Sequence, residues 1–245
     1  MTPIGERVAS ALAWLERNGS RRGREGMARY AIPSDQAFGV SMSGVQKLAR
    51  QLGRDHRLAA ALWDTGWYEA RTLAAYVDEP AQVTPAQMDR WARDFDNWAI
   101  CDTICFALFD RTPHAWAKVT LWSGKRGEYI KRAAFALLWG LTVHDKLAGN
   151  APFLRGLKLI ERGAADQRHF VKKAVNMALR ATGKRNLALN QAARAVAERL
   201  ARSEDPAPRG VGKDALRELA APRLQAALVR RAARVDLAPP RSTSI

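Results

Sequence analysis

The stretch NWAICDTICFALFDRTPHAWAKVTLW, residues 97–122, predicts two antiparallel helices with one break between them. Thr112-Pro113 supplies the break, because a capping threonine followed by proline is a common start of a helix. Apolar residues recur in the first segment at helical spacing, and nothing in the stretch alternates apolar with polar as a half-buried strand does. The face predicted to be buried consists of Ile100, Cys101, Ile104, Cys105 and Leu108.

The same pattern of paired helices extends over most of the chain. The spacing from pair to pair is roughly 35–45 residues, which is typical of the hairpin repeats of α-solenoids. We therefore predict an all-α fold, an α-solenoid of about six HEAT-like helical-hairpin repeats. A compact all-α bundle is the alternative. The predicted helices cover 43–52 with 55–64, 67–77 with 85–94, 97–109 with 113–122, 126–143 with 151–163, 167–182 with 186–202, and a last helix over 211–233.

Composition separates the repeats from the two ends of the chain. Residues 1–29 are predicted to hold an N-terminal helix and an Arg- and Gly-rich loop at 18–26. Residues 30–235 are predicted to form a single HEAT-like repeat domain, with a linker containing Pro and Gly at 203–212. The tail 236–245 has the composition of a disordered segment.

The charge of the chain is strongly positive and unevenly spread. The net charge is +16, and residues 111–185 hold 16 Lys and Arg against 4 Asp and Glu, so this stretch carries +12 of the total. Such a concentration predicts one basic surface and a polyanionic partner, nucleic acid ahead of an anionic membrane.

Neither a membrane anchor nor a metal site is expected. The chain has no apolar run of about 18 residues and no signal peptide, so we expect a cytoplasmic protein without a membrane partner. Cys101 and Cys105 lie one helical turn apart on a predicted core face, which favours buried thiols over metal ligands. The four histidines form no ligand pattern, and no cofactor is predicted.

A few side chains fall off the predicted core faces. Trp98 and Asp102 lie one turn apart and point the same way, and Arg132 lies off the apolar face of its own helix. The helix over 167–182 continues into a basic stripe of Lys173, Met177, Arg180 and Lys184. If these three helices line the inside of a solenoid, they form one basic groove that suits a DNA backbone.

Asp102 and Trp98 each allow two interpretations. A carboxylate in a groove for DNA would be repelled by phosphate, so Asp102 is either catalytic or neutralised in a salt bridge to a neighbouring Lys or Arg. The ring of Trp98 either belongs to a functional site or packs between repeats. The residues themselves leave these alternatives open.

Six segments resemble the AlkD-like DNA alkylation repair glycosylases, over residues 30–218. The segments are FGVSM (38–42), ALWDTGWYEARTLAAYV (61–77), WARDFDNWAICDTICFALFDRTPHAW (91–116), EYIKRAAFALLWGLTVHDK (128–146), HFVKKAVNMALRATGKRNLALN (169–190) and KDALREL (213–219). The resemblance implies a C-shaped stack of HEAT-like repeats with a basic concave groove. It also implies a monofunctional glycosylase that removes cationic alkylpurines, such as 3-methyladenine and 7-methylguanine, from double-stranded DNA.

The same resemblance assigns roles to individual residues. It places the catalytic carboxylate at Asp102 and a groove tryptophan at Trp98. The residues expected to bind DNA, counting the whole basic stripe, are Tyr30, Arg132, Lys173, Met177, Arg180 and Lys184. Met177 departs from the family, which has a second groove tryptophan at this position. No metal or cofactor is implied, and we expect a monomer that works on nucleoid DNA in a bacterial cytoplasm.

Two other functions compete with base excision. A non-catalytic member of the same superfamily would recognise distorted or branched DNA by its charge and shape, and Met177 favours this alternative. A HEAT-type protein–protein scaffold would need neither the basic surface nor Asp102. The retained Trp98 and Asp102 favour the glycosylase.

Overall fold

Helices make up all the regular secondary structure in the described residues, 2–236, of the computed structural model. A single 3-10 turn, Phe109–Arg111, follows the seventh α-helix. The α-helices are α1 (Ile4–Arg17), α2 (Arg21–Ala28), α3 (Met42–Leu52), α4 (His56–Asp64), α5 (Tyr68–Val77), α6 (Pro85–Arg93), α7 (Trp98–Ala107), α8 (Ala115–Ser123), α9 (Glu128–His144), α10 (Asn150–Gly163), α11 (His169–Gly183), α12 (Leu187–Ala201), α13 (Pro206–Leu219) and α14 (Pro222–Asp236).

The ten helices of the five predicted pairs are confirmed. Helices α3 to α12 each begin and end within two residues of the predicted bounds. The predicted apolar face of α7 is also confirmed, since none of its five residues is more than 1% exposed. Apolar spacing therefore located both the helices and the side of α7 that faces the core.

The predicted loop at 18–26 is wrong, because residues 21–28 form α2. Ser20 caps this helix by accepting a hydrogen bond from the backbone N–H of Gly23. The glycines allow two backbone segments to approach closely: a Cβ atom at Gly19 would lie 2.4 Å from the carbonyl oxygen of Phe38. Composition predicted a loop because glycine and arginine are frequent here. The segment is helical because it packs against the backbone around Phe38, which no local pattern shows.

The predicted linker at 203–212 is also wrong, since α13 begins at Pro206. Proline is tolerated in the first turn of a helix, and Asp205 caps α13 by accepting from the backbone N–H of Ala207 at 2.9 Å. The predicted single helix over 211–233 is two helices, because α13 ends at Leu219 and Pro222 starts α14. Because proline has no backbone N–H, Pro222 cannot continue the backbone hydrogen bonds of α13.

The chain divides into two compact units, residues 1–140 and 141–245, with the boundary inside α9. In the first unit the core is aromatic, since the stacked rings of Trp63 and Trp91 lie 4.2 Å apart between centroids. In the second unit α11, α12 and α13 all pack against one another. The single repeat domain over 30–235 and the common groove stay predictions. Of the predicted disordered tail, all but Asp236 lies outside the described residues.

Two negative findings hold for the described part of the chain. Over those residues, no helix combines the length and the apolar character that a membrane span requires. Within the same part, no cluster of three or more His, Cys, Asp and Glu side chains could hold a metal ion.

Candidate functional site

Asp102 and Arg132 form a bidentate ion pair between α7 and α9. The Nε atom of Arg132 donates to one carboxylate oxygen at 2.9 Å, and a terminal nitrogen donates to the other at 2.6 Å. Arg132 is 3% exposed, whereas the side chain of Asp102 retains 17% exposure. Of the two interpretations of Asp102, the salt bridge is therefore present. Asp102 is the member of the pair that lies nearer to solvent.

This geometry leaves the carboxylate able to act on a further group. Each oxygen of Asp102 accepts one hydrogen bond from Arg132 and keeps a second lone pair. Burial raises the pKa of Asp102 above its ordinary value, while the hydrogen bonds and the charge of Arg132 oppose that shift. Asp102 raises the pKa of Arg132 although burial opposes the rise, so the guanidinium remains charged beneath the carboxylate.

Two buried thiols fix α7 against α9. The Sγ atom of Cys101 donates to the carbonyl of Tyr129 at 3.5 Å, and that of Cys105 donates to the carbonyl of Ala133 at 3.6 Å. Both cysteines are free and buried. Because these two contacts occur on either side of Asp102 along α7, they set the register that brings Asp102 to Arg132.

Trp98 joins the pair to the N-terminal part of the chain. Its indole N–H donates to the backbone carbonyl of Tyr30 at 2.7 Å, and the guanidinium of Arg132 lies 5.9 Å from its ring centroid. The side chain of Tyr30 is 65% exposed. The first unit thus brings together Tyr30, Trp98, Asp102 and Arg132, four residues that the sequence analysis selected.

Glu69 is a supporting residue that the sequence analysis missed. Its buried carboxylate accepts hydrogen bonds from three consecutive backbone N–H groups, of Phe38, Gly39 and Val40, at 2.9, 2.7 and 3.1 Å. Gly39 has a φ of +79°, a conformation that favours glycine. The bonds fix the turn that α2 packs against, and no local pattern distinguishes Glu69 from a surface glutamate.

The basic stripe lies on α11, in the second unit. Lys173 is exposed and Met177 is partly buried, whereas Val171 and Val175 lie in the core, which confirms the predicted phase of this helix. Arg180 and Lys184 both pair with Glu218 of α13.

A second acid reinforces this cluster. Asp214 of α13 lies 3.8 Å from Arg180. Burial opposes the shift, but Lys184 and Arg180 lower the pKa of Glu218, so the acid is ionised. Two of the three cations in the stripe are therefore neutralised in the free protein, which the sequence analysis did not foresee.

Comparison with known proteins decides the family. A family model described as DNA alkylation repair enzyme matches residues 11–219, most of the chain. The chain belongs to the DNA alkylation repair enzyme family. No curated protein matches it.

A solved structure shares the fold of this DNA alkylation repair family member. It comes from a new family of proteins related to the HEAT-like repeat DNA glycosylases, with affinity for branched DNA structures. The TM-score is 0.72 at 18% identity, over 86% of this chain and 95% of that one. The likeness confirms HEAT-like helical repeats and excludes the compact bundle.

Proposed function

We propose that the protein is a DNA repair glycosylase that hydrolyses the N-glycosidic bond of cationic alkylpurines in double-stranded DNA. Family membership supports a role in alkylation repair. The observation that carries the proposal is the arrangement of Asp102, an oriented and partly exposed carboxylate one helical turn from Trp98. Substrates of this class include 3-methyladenine and 7-methylguanine.

The proposed chemistry needs little beyond a fixed negative charge. An alkylated purine that already carries a positive charge leaves as a neutral base, so its departure requires no general acid. Positive charge then grows on C1′ of the sugar, and the carboxylate of Asp102 stabilises it. The free lone pairs of Asp102 accept a hydrogen bond from the water that attacks C1′.

Arg132 acts in this proposal through Asp102. Its guanidinium is buried under the carboxylate, so it positions the acid and keeps it ionised rather than contacting phosphate. Trp98 supplies an aromatic face to the cationic base, an interaction of roughly 0.5–2 kcal/mol. Tyr30, exposed beside Trp98, is proposed to contact the DNA.

The basic stripe is proposed to bind backbone phosphates. Lys173 is exposed, while Arg180 and Lys184 exchange Glu218 for phosphate when DNA arrives. Such contacts release counterions, so the affinity for plain duplex falls as salt rises.

Asp102→Asn tests the mechanism. Asparagine keeps an acceptor for Arg132 but removes the charge, so we expect single-turnover release of 7-methylguanine to slow by about 10²–10³-fold. Binding of the same duplex should be retained or tightened. Rates are measured by mass spectrometry of released base, at a temperature below the melting transition of the variant.

The matched control is Asp64→Asn, which makes the same change in an exposed ion pair with Arg90 of the first unit. It should release base at the wild-type rate. If Asp102→Asn also does so, Asp102 is a structural residue and the proposed mechanism is wrong.

Met177 favours a second candidate function, the binding of distorted or branched DNA without base removal. Methionine offers polarisable bulk but no rigid aromatic face to a cationic base. This function predicts tighter binding to a four-way junction than to a duplex of equal length, with no base released from either. Release of 7-methylguanine by the wild-type protein would exclude it.

A further inference from the structure

Helix α2 has two unlike faces. The outer face, with the C-cap position, carries four arginines and a glutamate, all exposed. The inner face consists of Gly23, Gly26 and Met27, which are partly buried. No residue of α2 is fully buried, so the helix contributes little to the hydrophobic core. The arginines are Arg21, Arg22, Arg24 and Arg29.

Close backbone approach holds α2 in place. A Cβ atom at Gly23 would lie 2.2 Å from the carbonyl oxygen of Gly39, and one at Gly39 would lie 2.2 Å from that of Ser20. The hydroxyl of Ser20 also donates to the Gly39 carbonyl at 3.2 Å. Glycine is a poor helix former, so these glycines fix the position of α2 at the expense of its helix propensity. Because α2 is held firmly but buries no residue fully, its role in the core is small. Its exposed face is therefore the part that calls for a function.

The position of α2 is next to the candidate site in the same unit. Met27 and Tyr30 line a cavity of about 670 Å³ together with Tyr68, and Arg22 lies on the wall of that cavity. The backbone carbonyl of Tyr30 accepts the hydrogen bond from Trp98. The arginines therefore lie on a helix that ends two residues before Tyr30, the residue whose carbonyl contacts Trp98.

The outer face of α2 carries uncompensated charge. Arg21 pairs with Glu25. Arg22, Arg24 and Arg29 are exposed and form no salt bridge among residues 2–233, whose side chains are described. A guanidinium matches the geometry of a phosphate, with which it forms paired, charge-assisted hydrogen bonds. This surface suits a regular polyanion.

We propose that Arg22, Arg24 and Arg29 bind backbone phosphates of the DNA that flanks the Trp98–Asp102 site. This surface lies outside the basic stripe of α11, and the inference rests on the proposed binding of DNA. Its occupant is the sugar-phosphate backbone, so binding is independent of base sequence and of alkylation.

A charge-removing triple variant tests the proposal. Arg22→Gln, Arg24→Gln and Arg29→Gln are combined, and affinity for an undamaged fluorescent duplex is measured over a series of salt concentrations. Each lost phosphate contact removes about 0.9 from the slope of log K against log salt. We expect the slope to flatten by about 2–3 units and binding at about 0.1 M salt to weaken at least tenfold. The corresponding triple Lys variant, which keeps the charge, should retain most of the affinity and slope.

The control removes the same charge elsewhere. Arg155→Gln, Lys158→Gln and Arg162→Gln alter exposed positions of α10 and should change the slope little. Equal loss in both Gln triples, or an unchanged slope in the α2 triple while the wild type binds with strong salt dependence, overturns the proposal. Wild-type protein that does not bind DNA overturns the proposed function instead. A Gln triple with unchanged DNA binding but lost binding to anionic phospholipid vesicles would assign α2 to a membrane surface and also overturn it.

Discussion

At the scale of single residues, the bidentate pair explains how a nearly buried arginine and a partly exposed aspartate both remain charged. Arg132 is the buried partner and Asp102 the partly exposed one. Breaking a buried pair by removing one partner typically costs about 3–5 kcal/mol, because the other charge is left uncompensated. Separating Arg132 from Asp102 is therefore costly, and the pairing fixes the orientation of the carboxylate.

The pH dependence of base release follows from the state of Asp102. The proposed chemistry needs the carboxylate ionised, and burial raises the pKa of Asp102 above its ordinary value of 3.8, against the opposing effect of Arg132. The excision rate should therefore be flat near neutrality and fall on acidification, at a higher pH than an ordinary aspartate would give. Single-turnover rates between about pH 4 and pH 8 test this, with spontaneous depurination subtracted and circular dichroism confirming the fold. A rate that rises on acidification would indicate a general acid instead.

Helical spacing was enough to predict the direction of Asp102 but not its partner. The positions of Trp98 and Asp102 relative to Ile104 follow from 100° per residue, and the exposed fractions agree with them. Arg132 comes 30 residues later. The pairing of Arg132 with Asp102 depends on the register between α7 and α9. The contacts of Cys101 and Cys105 fix that register, and no local sequence pattern predicts it.

At the scale of helices, Gly212 tests why α13 packs so closely on α12. A Cβ atom at Gly212 would lie 2.3 Å from the backbone nitrogen of Ala201 and 2.5 Å from the carbonyl oxygen of Ala197. Gly212→Ala should therefore lower the free energy of unfolding by about 1–3 kcal/mol through overpacking. Thermal melting and urea unfolding measure the loss.

Gly210 of the same helix is the matched control. An added Cβ atom there meets nothing within 4 Å, so Gly210→Ala should be neutral or stabilise by up to about 1 kcal/mol through helix propensity. Equal effects of the two substitutions would show that backbone packing between α12 and α13 does not limit stability.

Composition missed α2 and the first turns of α13, and the two errors share one physical cause. In α2 and α13, glycine lets backbone approach backbone, so the stabilising partner lies elsewhere in the chain, at Gly39 for α2 and at Ala197 and Ala201 for α13. Residue composition records only that glycine weakens an isolated helix. The ten helices between Met42 and Ala201 were predictable because their own apolar faces provide the stabilisation.

At the scale of the whole molecule, the distribution of free charge differs from the distribution of basic residues. Residues 111–185 carry the excess of Lys and Arg, but several of these side chains are neutralised. Lys118 pairs with Asp89 of α6 at 2.6 Å, and Arg132 pairs with Asp102 of α7 at 2.6 Å. The charge count therefore predicted a polyanionic partner without identifying which cations could reach it, because the neutralising acids come from other helices or loops.

Glu218 is the acid whose removal should change DNA binding most clearly. It pairs with both Arg180 and Lys184, and each exposed ion pair of this kind is worth about 0.2–1 kcal/mol. If phosphate must displace Glu218, then Glu218→Gln removes that competition and should raise duplex affinity about two- to thirtyfold. The slope of log K against log salt should change little, because Arg180 and Lys184 contact phosphate in both proteins.

Glu161→Gln separates this local effect from the change in net charge. Glu161 pairs with Arg199 in the same unit, at 2.7 Å, so the substitution removes the same charge from a different ion pair. Both variants are titrated with one undamaged duplex at several salt concentrations. A similar gain in affinity for both would mean that only net charge matters. A loss of affinity in Glu218→Gln alone would mean that Glu218 holds Arg180 and Lys184 in the conformation that contacts phosphate, so that the acid assists DNA binding instead of competing with it.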